Sequence, residues 1–129
     1  MTLHFNLPGP PRTKKNHNRL VRAGGRYRVL PSKPYEEWRR SLEGYALHLM
    51  MSLRRHGVRL PITRPVRVAA TFYRDRNIGD LVGYQQALAD WMEGVGLLEN
   101  DRQIVSWDGT RMDVDRERPR IEVEIETAE

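Results

Sequence analysis

Leu3, Phe5 and Leu7 alternate with polar neighbours, a period of two that predicts a first strand. Pro8-Gly9-Pro10-Pro11 ends it, and Arg12 to Asn18 reads as a polar loop. Leu20-Val21-Arg22 and Tyr27-Arg28-Val29-Leu30 flank Gly24-Gly25, the pattern of a hairpin closed by glycines. Ser32 is a good N-cap for a long helix from about Lys33 to Arg55. Tyr35, Trp38, Leu42, Tyr45, Ala46, Leu49 and Leu53 fall on one stripe of it, and Gly57 is its stop. A proline-rich connection, Arg59 to Pro65, leads to a second clear alternation at Val66, Val68, Ala70 and Phe72. Asp80 to Glu93 turns helical, with Leu81, Tyr84, Leu88 and Trp91 on one face, and Gly94 and Gly96 end it. Ile104-Val105-Ser106-Trp107 and Ile121 to Ile125 complete the strands, and Trp107-Asp108-Gly109 reads as a strand end and turn. Mixed in this order, the elements predict an α/β (α+β) fold. It is a single two-layer domain over residues 1–129, a mixed β-sheet packed by two main helices.

Length agrees: 129 residues build one core and are short for two. No apolar run reaches transmembrane length, and Met1 to Arg12 lacks a signal-peptide core, so a cytoplasmic protein without membrane partners is expected. The absence of cysteine excludes disulfides, thiolate metal sites and cysteine nucleophiles.

Charge changes the picture more. The net charge is +5, yet Met1 to Tyr35 holds eight basic residues and no acid. Of the 22 basic residues 19 are arginine, whose planar forks match phosphate oxygens. A basic arm, comprising the loop and hairpin over residues 8–31, on a near-neutral body points to a polyanion. Lys14, Lys15, Asn16 and Arg19 are the expected phosphate contacts, with Arg74 and Arg76 as further DNA-binding candidates flanking Asp75. His17 reads as an exposed loop residue, and Tyr84, Trp91 and Trp38 read as core.

Asp80 stands where a strand and its loop give way to a helix, and Asp101 follows the end of that helix. Two carboxylates with open positions suit Mg2+, which keeps waters and takes further ligands from phosphates. Asp75, Glu99 and Asp108 are near enough in sequence to add a ligand. An N-cap for Asp80 and a loop acid for Asp101 are the plainer alternatives, and a cap can also be a ligand.

The order of these pieces resembles the RusA-like Holliday-junction resolvases. Phe5 to Pro11 followed by Lys14-Lys15-Asn16 is similar to their first strand and its proline-rich exit. Ser32-Lys33-Pro34-Tyr35 opens a similar long helix, and Val68 to Tyr73 resembles the strand before their acidic motif. Asp80 to Asp101, then Arg102-Gln103-Ile104, resembles their helix and the Asp-Asp-x-Gln-Val segment after it, and Arg120 to Ile125 their last strand. The family pattern is Asp-x-Asp-Asn, a helix lysine, then Asp-Asp. An ungapped alignment puts Asp80 on the first Asp and Val82 on the second; a longer helix puts Asp80 on the Asn. Either way Asp80 is the single carboxylate of that motif and Gln86 stands at the lysine, while Asn100-Asp101 keeps the second acid of the last pair.

The resemblance implies a homodimeric endodeoxyribonuclease that resolves four-way DNA junctions in recombination and repair. It implies Mg2+, or Mn2+ in its place, held by Asp80, Asp101 and Asp75 as metal and catalytic residues, and no small-molecule cofactor. A non-catalytic binder of branched DNA with a degenerate site is the alternative. An RNA-binding basic domain is a third reading, against which there is no aromatic-rich strand of the kind that stacks RNA bases.

Overall fold

The computed structural model describes residues 1–14, 19–30 and 33–127. Two strands that pair only with each other, β2 (Arg19–Ala23) and β3 (Arg26–Leu30), form the expected basic hairpin. Gly24 and Gly25 at its turn have φ of 60° and 77°, the left-handed region that closes a two-residue hairpin.

The main sheet runs β1 (Thr2–Pro8), β7 (Arg120–Thr127), β4 (Val66–Arg74), with both β5 (Ile104–Ser106) and β6 (Arg111–Val114) on the far edge of β4. The β1–β7 and β7–β4 pairs are antiparallel, and β5 and β6 run parallel to β4, so the sheet is mixed as expected. Alternation decides its faces. Leu7, Phe72 and Ile125 are among the side chains turned inward and fully buried. The outward face carries charge pairs: Arg67 of β4 donates across to Glu124 of β7 at 2.7 Å, and Arg120 donates along β7 to Glu122 at 2.8 Å.

Three helices cover the inner face, where the sequence predicts two. The expected long helix is broken at Leu42 into α1 (Lys33–Ser41) and α2 (Glu43–Arg55). The cause is local. Ser41 Oγ takes the Trp38 carbonyl at 2.7 Å, and the Leu42 N–H bonds Arg39, three residues back, at 3.1 Å. A serine that competes for a helical carbonyl tightens the turn there. The Ser32 cap lies outside the described residues. The apolar stripe still packs inward: Tyr35, Trp38 and Leu42 are buried.

The third helix, α3 (Leu81–Gly94), packs Phe5 against Trp91 at 6.2 Å and Phe72 against Tyr84 at 5.4 Å. It links β4 to the parallel strand β5, so it must carry the chain back to where β4 began. A 3₁₀ turn, Asp101–Gln103, then enters β5. The strand β6 is absent from the sequence reading because it has no alternation to show: three of its four residues are exposed on the sheet edge. No helix among the described residues is long and apolar enough to cross a membrane.

Candidate functional site

The crossover fixes where the candidate acids go. Asp80 is the N-cap of α3, accepting from the Gly83 N–H at 2.7 Å. Asp101 opens the 3₁₀ turn, and its N–H donates to the Glu93 carboxylate at 3.3 Å, near the other end of α3. Between Asp80 and Glu93 the helix rises about 20 Å at ~1.5 Å per residue. Within one chain Asp80 therefore stands at the start of α3 and Asp101 beside its last turn. The return to the sheet happens at the opposite end of β4, because β5 is parallel to it.

Asp75 does not complete a set either. Arg12 donates to both its oxygens, at 3.0 and 3.2 Å. That hydrogen-bonded guanidinium holds the Asp75 carboxyl below its usual range in spite of some burial. Glu99 and Asp108 are exposed. Asp108 sits in the turn closed by the Thr110 N–H on the Trp107 carbonyl, as its sequence context indicates. Among the described residues no group of three or more acids or histidines is placed to hold a metal ion. Asn100, in the place of the other acid of the family pair, caps the 3₁₀ turn and forms a capping box with Gln103.

The loop that delivers Asp80 is held from inside. Arg74 is the last inward position of β4 and is 8% exposed. It donates to the Ile78 carbonyl at 3.2 Å, which also accepts the Tyr84 hydroxyl at 2.6 Å. Arg74, expected to contact DNA, is instead turned inward: its Nη1 is committed to the loop backbone, and its Nε–H is buried without an acceptor among the described residues. Arg76, its partner in that expectation, is exposed. Gly79 has φ of 83°, and a Cβ there would stand 2.6 Å from the Tyr84 hydroxyl. Gly79→Ala is therefore expected to cost about 1–3 kcal/mol, read as a fall in the urea midpoint. A wild-type midpoint would show that the loop re-forms without this geometry.

An open groove of about 510 Å³ runs beside α3. Val82, Gln85, Gln86 and Ala89, at helical spacing, form one wall, Ile104 and Trp107 the other, and Asp101 and Lys14 also border it. Lys14 is fixed there by Asp90, at 3.1 Å. The same carboxylate accepts Tyr35 Oη and Arg39 Nη1, each at 2.7 Å. Burial raises the Asp90 carboxyl, but the bonds from Tyr35 and Lys14 outweigh it and leave it below the usual range. Burial, then Asp90, pushes the Tyr35 phenol up, so it remains a donor.

Asp90 is the residue the sequence reading missed. Its signal was present. An acid one turn from a helix C-terminus opposes the helix dipole and calls for cationic partners. Lys15, Asn16 and His17, and the side chain of Arg19, lie outside the described residues.

A family model described as Endodeoxyribonuclease RusA matches residues 8–126 of the chain. None of the curated proteins compared with the chain matches it.

Proposed function

Because the chain belongs to the RusA endodeoxyribonuclease family, we propose that it is a structure-selective nuclease that resolves four-way DNA junctions in recombination and repair. The observation that carries this reading is the family match across nearly the whole chain. Two features of the molecule support it. The acid-free, arginine-rich stretch up to Tyr35 supplies a phosphate-binding arm. Lys14, at the base of that arm, is pinned over the groove beside α3. Phosphate contacts of this kind position the duplex, while the shape of the branch selects the substrate.

Mg2+, with Mn2+ as a substitute, is the expected ion, and Asp80 and Asp101 its expected ligands. The described residues of one chain do not fit it. Asp80 and Asp101 lie at the two ends of α3, and Asp75 is bound to Arg12. The second reading, a branched-DNA binder that does not cut, rests on that misfit. A labelled four-way junction incubated with the protein in Mg2+ and in Mn2+, beside a duplex control, decides between them. Paired cuts on the junction support the nuclease. Tight binding in chelator with no cutting in either metal establishes the binder.

A four-way junction has two-fold symmetry, so matched cuts call for a homodimer, whose mass light scattering would read. Replacing Lys14, Lys15 and Arg19 together with alanine is expected to weaken binding to all DNA shapes. The slope of log affinity on log salt should become shallower by about 0.9 for each phosphate no longer neutralised. An unchanged slope would place the DNA surface elsewhere.

A further inference from the structure

The helix α2 is apolar on more than its inner side. Ala46 and Met50 are buried, whereas Leu47 and Met51, one turn apart on the other side, are 64% and 50% exposed. Gly44 continues the same stripe toward the helix start, and a Cβ built there would meet nothing. At 3.6 residues per turn the three positions fall within an arc of about 60°. Exposed apolar residues scattered singly need no partner, but two stacked on one helix face beside a bare glycine form a continuous strip.

The charges at its ends choose the partner. Glu43 stands in the first turn of α2 and Arg54 in its last, both exposed and on the same edge of the strip. Neither makes an ion pair among the described residues. DNA would meet Glu43 and two apolar side chains there, and gains nothing from either. A helix with an acid at one end and a base at the other is complementary to itself turned end for end, and antiparallel packing also opposes the helix dipoles. We propose that α2 is the interface between two copies of this chain, packed antiparallel about a two-fold axis level with Leu49. In that register Leu47 faces the partner's Met51, and Glu43 reaches the partner's Arg54, each contact occurring twice. Gly44 leaves room for the adjoining arginine stem to lie along the helix backbone. Such an isologous contact closes at two copies. This inference rests on the homodimer reading and names the face that would make it.

Sedimentation equilibrium of the full-length protein without DNA reads the dimer. Leu47→Asp, at an exposed position, is expected to keep the helical circular-dichroism signal of the wild type and to weaken the dimer roughly a hundredfold or more. Glu43→Arg and Arg54→Glu should each weaken it about tenfold, because each sets like charges together at both ends of the paired helices. An equimolar mixture of these two single variants is expected to dimerise about as well as the wild type, since opposite charges meet at both ends of the mixed pair. A merely local role for either residue gives no such rescue. A wild-type protein that stays monomeric overturns the interface and the homodimer reading together. A dimer that persists in Leu47→Asp, or a mixture no tighter than its components, overturns the interface and leaves the homodimer reading standing.

Discussion

Asp80→Asn is expected to leave the fold and DNA binding intact and to slow cutting of a four-way junction roughly a hundredfold or more, the scale on which one electrostatic partner of a reacting centre counts. The substitution is chosen for the cap. Asn caps a helix about as well as Asp, so the bond from the Gly83 N–H survives and α3 keeps its start. What changes is one negative charge on an exposed residue at the end of the clamped loop. Nicking is measured in Mg2+ and binding of the same junction by gel shift in chelator. Loss of nicking with binding retained assigns Asp80 to the chemistry. Wild-type nicking would reduce Asp80 to a cap and move the reacting site elsewhere on the molecule.

Asp90→Ala is expected to lower stability by about 2–3 kcal/mol, because one deletion removes the acceptor shared by two cations and a buried phenol. Urea unfolding reads it. A loss within about 0.5 kcal/mol would show that Tyr35, Arg39 and Lys14 find other partners, as surface groups do. The pH dependence has a defined sign. The Asp90 carboxyl is held below its ordinary range in the folded chain. Its stabilisation is thus complete above about pH 4 and is lost as pH falls through the folded value. Asp90→Asn, which cannot titrate, should flatten that acid limb. The same variant releases Lys14, so DNA binding should change along with stability.

The strands were legible wherever one face is dry and the other wet. Leu3, Phe5 and Leu7 show this, as do the inward residues of β4 and β7. β6 was not, because an edge strand exposed on most positions leaves no period to read. The break at Leu42 was hidden for the opposite reason: the apolar stripe continues through it, and only the Ser41 hydroxyl marks the change. Among the site residues, the cap at Asp80 and the turn at Asp108 follow from local rules. The separation of Asp80 from Asp101 does not. It depends on β5 running parallel to β4, a long-range pairing that spacing along the chain leaves open. Arg74 reads as surface charge in a run of Arg-Asp-Arg, and only the register of β4 turns it inward. Asp90 shows the converse, a single polar residue whose partners come from the basic loop and from α1.

The length of α3 turns the chemistry into a question of subunit stoichiometry. If Asp80 of one chain and Asp101 of its partner serve the same phosphate, each reacting site of the proposed homodimer is shared between chains. Genetic complementation then has an asymmetric outcome. A mixed dimer of one Asp80→Asn chain and one Asp101→Asn chain gathers both lesions into one shared site and leaves the other whole. It would nick one strand of the junction without releasing it into two duplexes. Were each site built within its own chain, the same mixture would be inert.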